Sequence, residues 1–201
     1  MLELGSGAGY NAYYLKKYFQ IDLVDISQQM LNISKKLNPD LNHYCGDMRS
    51  IKISKKYDAI FIHDAIVHIT NLNDLKKVLR TISSHLKPNG CILIVPDYFK
   101  ETFRSSSIQG GYDDFMQGLR YLQWTIDSNP RDSVVECYTT YMLRDALGNI
   151  KVENDFYQIA VFSIDKWKEL LSKEGFKSDI RPIAINDMEP GVHICIFAEK
   201  C

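Results

Sequence analysis

Within the first ten residues, Glu3-Leu4-Gly5-Ser6-Gly7-Ala8-Gly9 sets glycines at alternate positions behind a carboxylate. Residues without a Cβ let the backbone turn sharply and approach a ligand closely. The spacing narrows what that ligand can be. A dinucleotide fingerprint needs Gly-x-Gly-x-x-Gly to bring a pyrophosphate onto a helix N-terminus. Here the third glycine comes one residue early, and Tyr10 fills its place. No Gly-Lys-Ser/Thr follows, which excludes a Walker loop. Glu3 would repel phosphate and suits a cationic ligand.

A second acid, Asp25 in Leu23-Val24-Asp25-Ile26-Ser27, lies about 20 residues past the first glycine. Nucleoside binders place there the carboxylate that accepts from both ribose hydroxyls. Helix capping alone does not account for Asp25, because Ser27 already holds the capping position. Gly46-Asp47-Met48 adds a polar–apolar pair suited to adenine, one acceptor and one face. His63 and Asp64 follow a strand-like run, and His68 lies one turn beyond Asp64 if that stretch is helical. Near neutral pH such a histidine can take a proton; packing or capping of the loop accounts for it equally well. His63-x4-His68 with Asp64 also has a metal-ligand look, but nothing else completes a set, so no metal is expected.

These residues need a scaffold that brings strand ends together. Residues 1 to 96 alternate strand-like and helix-like segments with short connections, the pattern of a parallel sheet covered by helices. Strands are expected at Met1–Leu4, Ile21–Val24, His43–Cys45, Tyr57–Ile62 and Cys91–Val95. Helices are expected over Asn11–Phe19, with Ala12, Leu15 and Phe19 inward, and after Ser27, with Met30, Ile33, Ser34 and Leu37 inward. A third helix carries the stripe Leu75, Val78, Leu79, Ile82 and Leu86, stopped by Lys87-Pro88-Asn89-Gly90.

Beyond Pro96, residues 97 to 133 show little period and many aromatics. Val134–Leu143 and Ile150–Phe162 read as an antiparallel hairpin. A last helix over Asp165–Glu174 and strands at Phe176–Ile180 and Val192–Ala198 complete the chain. The expected fold is one α/β domain: a doubly wound, Rossmann-like, mostly parallel sheet with an antiparallel strand near the C-terminus and an inserted β-hairpin. Its parts are a cofactor-binding core (1–96), an excursion roofing the substrate pocket (97–162), and a final helix with strands (163–201). A first strand that begins at Met1 points to a truncated or mis-started chain, or to a deletion.

Composition sets the outer limits. With 201 residues, one domain is expected, able to bury roughly 70% of its unfolded surface. Apolar residues at 45% and charged residues at 24% exclude disorder. The formal net charge of −1 and scattered lysine pairs argue against nucleic acid as a partner. Cys45, Cys91, Cys137, Cys195 and Cys201 show no metal or redox spacing, as expected of reduced thiols in a cytoplasm. No apolar run approaches the ~20 residues of a membrane helix, and no export signal is apparent.

Taken in order, ELGSGAG, LVDIS followed by Met30, GDM, YDAIFIHDAIVHI and LKPNGCILIV make the chain resemble the class I S-adenosylmethionine-dependent methyltransferases of small-molecule type. The resemblance covers residues 1 to 96 well and the rest loosely. It implies that the loop Gly5, Ser6, Gly7 and Gly9 passes under the methionine part of S-adenosylmethionine, with Glu3 orienting it. It further implies that Asp25 holds the ribose, that Ile26 and Met48 sandwich adenine near Met30, and that Asp47 accepts from the adenine amino group. The His63 backbone would meet the methionine end. The inserted strands are similar to those of sugar-amine and glycine N-methyltransferases, where extra strands help roof the substrate pocket. Ser6 replaces a residue that is often Cys in the family, and lead-in helices are missing.

Because a sulfonium is already an activated leaving group, positioning can supply much of the rate, and a base is needed only for a protonated acceptor. The candidates for proton transfer are His68 and Glu136. Those facing a small-molecule acceptor are Tyr10, Asp64, Tyr98, Arg120, Trp124 and Tyr138, an aromatic wall suited to a sulfonium and to a flat or sugar-like molecule. An exposed hairpin edge could pair two subunits into a homodimer. Two other readings stay open: a catalytically silent cofactor-binding paralogue acting as a partner or scaffold, and a nicotinamide oxidoreductase, weakened by Tyr10.

Overall fold

The computed structural model describes residues 1–183 and 193–201. Strand β1 (Leu2–Leu4) is buried at all three residues because it has parallel neighbours on both sides, β2 (Asp22–Asp25) and β4 (Tyr57–His63). A strand enclosed in this way must be apolar on both faces. Glu3, whose register partners are Leu23 and Phe61, is the one charged residue β1 carries. The seven-stranded sheet has the order β10-β11-β5-β4-β1-β2-β3, with β3 spanning Asn42–Cys45, β5 Leu86–Val95, β10 Phe176–Ile183 and β11 His193–Lys200. Strand β11 runs antiparallel to β5, as expected for a strand near the C-terminus. Val192, included in the sequence-based strand, lies outside the described residues.

The helices depart from the sequence pattern at instructive places. Helix α1 (Tyr10–Leu15) is one and a half turns long, and Phe19 is half exposed beyond it rather than inward. Helix α2 (Gln28–Leu37) is capped by the Ser27 hydroxyl, which accepts from Met30 N at 3.3 Å. Its buried residues are Leu31 and Ser34, not Met30 and Ile33. The reason is steric: Ser34 and Asn38 pack on Gly9, where a Cβ would stand 2.2 Å from Ser34 Oγ, and Asn38 Nδ2 donates to Gly9 O. Small polar residues therefore hold the inner place, and the larger apolar ones turn outward. Helix α3 (Leu72–His85) buries Leu75, Val78, Leu79 and Ile82 as its stripe predicts. Lys87–Gly90 does not end in a loop; it belongs to β5, pairing irregularly with β4.

The excursion is a second sheet. Besides β8 (Val134–Arg144) and β9 (Ile150–Ala160), it contains β6 (Ser106–Asp113) and β7 (Gly118–Ile126), giving the order β6-β7-β8-β9. The stretch 97 to 133, which lacks period in the sequence, holds two of the four strands. On β8, Val135 and Cys137 are buried in the same core as Ile62, Ile94 and Phe99, so this sheet is seated on the main one. Helix α4 (Ile164–Lys173), capped by Ser163, packs beside β10 and buries Trp167, Leu170 and Leu171. Among the described residues, no helix is long and apolar enough to cross a membrane.

The base of β2 is fixed by a buried acid. Asp22 accepts from Tyr57 Oη at 2.8 Å, Asn42 Nδ2 at 2.9 Å and Lys55 Nζ at 2.7 Å, tying β2 to β3 and β4. Burial alone would raise its carboxyl, but these donors outweigh burial and hold it below the ordinary carboxylate range. The stability this group contributes is present above the unfolded carboxyl value and is lost as pH falls through the lower folded value. Asp22→Ala leaves the buried Tyr57 hydroxyl without its acceptor and should cost about 1–3 kcal/mol. A urea midpoint that falls at unchanged slope would show it; an unmoved midpoint would refute it.

Candidate active site

The turn after β1 is lashed to the end of β2. Val24 O accepts from Gly5 N at 2.8 Å and from Ser6 N at 3.0 Å, and Asp25 Oδ2 accepts from Gly7 N at 2.7 Å. Gly5 has φ +74°, and a Cβ on it would stand 2.2 Å from Ala65 Cβ. Only glycine tolerates both. Asp25 Oδ1 takes a further bond from Ser27 N at 2.8 Å. Each carboxylate oxygen has capacity for more than one bond, so Asp25 keeps acceptor sites while it is held in place.

Above this turn lies a cavity of about 450 Å³, within the size range of small-molecule sites. Its lining joins Gly5, Gly7, Asp25, Ile26, Met30, Asp47, Met48 and His68 from the sequence-based set, and adds Gly46, Arg49, Ala65 and Ile69. A wider, more open hollow of about 800 Å³ lies at the far tip of the second sheet, where Arg144 is already bound to Asp113.

Glu3 lies beneath the turn, 1% exposed, with Oε1 accepting from Asn11 Nδ2 at 3.3 Å. Its Oε2 is buried with no hydrogen-bond partner. Burial pushes this carboxyl up to about 7, with Asn11 and His63 pulling the other way. An unpaired, desolvated carboxylate oxygen is costly, and a cationic donor would relieve it. This orphaned, buried oxygen beside the glycine turn fits S-adenosylmethionine, whose amino group and sulfonium are both cationic.

Asp47 is held by Arg49 through Nε at 2.9 and 3.0 Å, and Arg49 reaches on to Asp74 at 2.7 Å. The Arg49 guanidinium keeps the Asp47 carboxyl below its ordinary range. An acid two residues before an arginine is the sequence signal for this clamp. His63 Nδ1 lies 3.0 Å from Asp64 Oδ2, a partner that raises the imidazole's proton affinity. Asp64 itself adopts φ +50° where the chain leaves β4. Burial, then the neighbouring Asp64, pushes Asp97 at the end of β5 up to about 7.

The remaining sequence-based candidates are dispersed. Ser6 is buried in the turn and Gly9 packs on α2. Tyr10 is 67% exposed on α1, and the Tyr98 ring meets Phe103 edge-on at 5.3 Å. On β7 and β8, strand alternation separates two faces. Thr125, Cys137 and Thr139 turn toward the core, so Arg120, Trp124, Glu136 and Tyr138 stand on the opposite, outward face. Glu136 accepts there from the Ser128 hydroxyl. The structure does not bring these four to the cavity. The sequence pattern gives an alternating strand but not which parity faces inward. The inward parity instead presents Gln123 and Tyr157, and Tyr157 lies against His68 with ring centroids 5.9 Å apart.

Fold and site together define a nucleoside-binding α/β enzyme domain with an acid-flanked glycine turn. Residues 1–90 match the family described as "Methyltransferase domain". The chain is similar to dTDP-3-amino-3,6-dideoxy-α-D-glucopyranose N,N-dimethyltransferase of Streptomyces fradiae, at 20% identity over 90% of this chain and 71% of that protein. It is also similar to malonyl-[acyl-carrier protein] O-methyltransferase of Halalkalibacterium halodurans, at 27% identity over 98% and 80% of the two chains. Among solved structures, the S-adenosylmethionine-bound amino pentose methyltransferase CalS10 of Micromonospora echinaspora shares the fold, with a TM-score of 0.83 at 17% identity over 100% of this chain and 82% of that one. Over residues 1–90 the chain thus matches a methyltransferase domain, and over nearly its whole length it is similar to S-adenosylmethionine-dependent methyltransferases of small molecules.

The elevated Glu3 carboxyl carries a pH signature. A cationic ligand selects the ionised form, so S-adenosylmethionine should bind more tightly as pH rises from 6 to 8, with proton release on binding. Calorimetry in two buffers of different ionisation enthalpy measures that proton. Glu3→Gln should weaken binding and flatten the pH dependence; a pH-dependent affinity that survives the substitution would assign it elsewhere.

Proposed function

We propose that the acceptor is an amine carried on a hydroxylated, sugar-like small molecule. One observation carries this reading: the second sheet meets the cofactor cavity at Tyr157, whose ring lies against His68 and which is backed by the mutually hydrogen-bonded Gln123, Thr125 and Thr139, a polar setting in place of the apolar one an acyl chain would ask for. The similarity to an amino-sugar N,N-dimethyltransferase over 90% of the chain supports it.

When bound, S-adenosylmethionine supplies an electrophilic methyl group on a sulfonium. The chain's own residues bind, orient and deprotonate. Glu3 receives the cationic methionine end above the Gly5–Gly9 turn, Asp25 accepts from the ribose hydroxyls, and Ile26 and Met48 flank the adenine. His68, at the end of the turn Ala65–His68 and lining the same cavity, takes the proton from the acceptor ammonium and so frees the nitrogen lone pair. Glu136 is too differently placed to share this task. The described cysteines are all free, which supports a reducing, cytoplasmic setting. The exposed outward residues Leu122, Trp124 and Phe156 support self-association as a homodimer.

Transfer of labelled methyl from S-adenosylmethionine to dTDP-3-amino-3,6-dideoxy-α-D-glucopyranose and related amino sugars is expected. Transfer to carboxylates such as a malonyl thioester, with none to amines, would overturn the amine reading. His68→Asn should lower turnover by about 10²–10⁴ while cofactor affinity holds.

A further inference from the structure

A catalytic histidine usually owes its orientation to a hydrogen bond at its other ring nitrogen. His68 has none among the described residues. It ends a single 3-10 turn whose backbone bonds, Val67 N to Asp64 O and Ile69 N to Ile66 O, fix the turn and not the ring. Its recorded partner is an aromatic one: the Tyr157 ring on β9, 5.9 Å away and tilted by 53°.

Tyr157 is itself held by a network from two neighbouring strands. Its hydroxyl donates to Gln123 Oε1 on β7 at 3.2 Å, and the same oxygen accepts from Thr139 Oγ1 on β8 at 3.4 Å. Gln123 Nε2 in turn donates to Thr125 Oγ1 at 3.3 Å. Thr125 and Thr139 are 4% and 3% exposed, and Cys137, the register partner of Tyr157, is buried beside them. A partly buried polar relay of this kind, with its members bonded to one another, fixes one side-chain arrangement where an apolar core would permit several. Burial also pushes the phenol up to about 12, so Tyr157 stays a neutral donor to Gln123 and cannot itself be the base.

We propose that Tyr157 is a positioning residue: anchored by Gln123, its ring sets the orientation of the His68 imidazole, so that the second sheet aims the base of the first. The proposal rests on the reading of His68 as the base. It gives the inserted sheet a part in the chemical step besides roofing the acceptor.

The test begins without an acceptor. In protein labelled at histidine and loaded with S-adenosylhomocysteine, the His68 ring resonance is assigned by its disappearance in His68→Asn. Tyr157→Leu should shift that resonance by removing the ring current, Tyr157→Phe should retain most of it, and S-adenosylhomocysteine affinity should stay within about twofold in both. With dTDP-3-amino-3,6-dideoxy-α-D-glucopyranose as acceptor, Tyr157→Leu should lower kcat about tenfold or more at unchanged KM for the cofactor, the scale expected of a misplaced group. Tyr157→Phe should lose less, and Tyr157→Leu should add nothing in the His68→Asn background. A His68 resonance unmoved by Tyr157→Leu, or losses that multiply in the double variant, would overturn the proposal. Full activity of His68→Asn would overturn the base assignment instead. Should Tyr157→Leu fail to fold, Gln123→Leu, which cuts only the tether, must broaden or shift the His68 resonance, or the proposal falls.

Discussion

The protein depends on how the turn after β1 is bound to the end of β2. Two backbone donors on one carbonyl, Val24 O, and a third on Asp25 Oδ2 leave the turn no freedom to move as a loop. That attachment places two acids of opposite character within one site. Asp25 is saturated enough by backbone N–H groups to stay in place at the cavity wall. Glu3 is walled in with one oxygen unmet. A phosphate would find the wrong charge there. The proposed placement of a positively charged nucleoside would set its ribose at the Asp25 acceptor and its cationic end toward the desolvated Glu3, where low dielectric makes an attraction count most.

The same constraint explains the glycines better than ligand clearance does. Gly5 is squeezed by Ala65, which leads the turn after β4, and Gly9 by Ser34 and Asn38 of α2. Protein thus presses on the loop from both sides. The Ala65–His68 turn is brought against the glycine turn by the contact that requires a glycine at position 5, so the position of His68 depends on the same contact. Clearing a Cβ at Gly5 would move Ala65 and, three residues on, His68.

Much of this was legible in the sequence. The core strand segments, the Ser27 cap, the α3 stripe and the acid-flanked turn follow from spacing and periodicity, because each is a local pattern. What escaped was decided by contacts between distant segments. Met30 and Ile33 look like an inner face until Ser34 and Asn38 are seen to need that place for Gly9. Strands β6 and β7 hide in residues 97 to 133 because both faces of that sheet carry aromatics and polar groups, so no clean alternation appears. For the same reason Arg120, Trp124, Glu136 and Tyr138 attracted notice while Gln123 and Tyr157 did not. Strand parity relative to the core is fixed by Val135 and Cys137 packing under the main sheet, and a one-residue change of register would have reversed the choice.

That parity also determines what kind of roof the inserted sheet can be. Its inward threonines, glutamine and Tyr157 are bonded to one another across β7, β8 and β9, so little of their capacity is left for solvent. Val135, Cys137, Ile159 and Ala160 join the core of the main sheet, which makes the roof continuous with the floor. Packed cores resist small displacements, so the spacing between the two sheets is set by the fold. A reaction whose leaving group is already activated gains chiefly from fixed geometry. A rigid, hydrogen-bonded roof serves that need more directly than a further charged group at the methyl carbon would, because an added charge there would have to be desolvated without a partner.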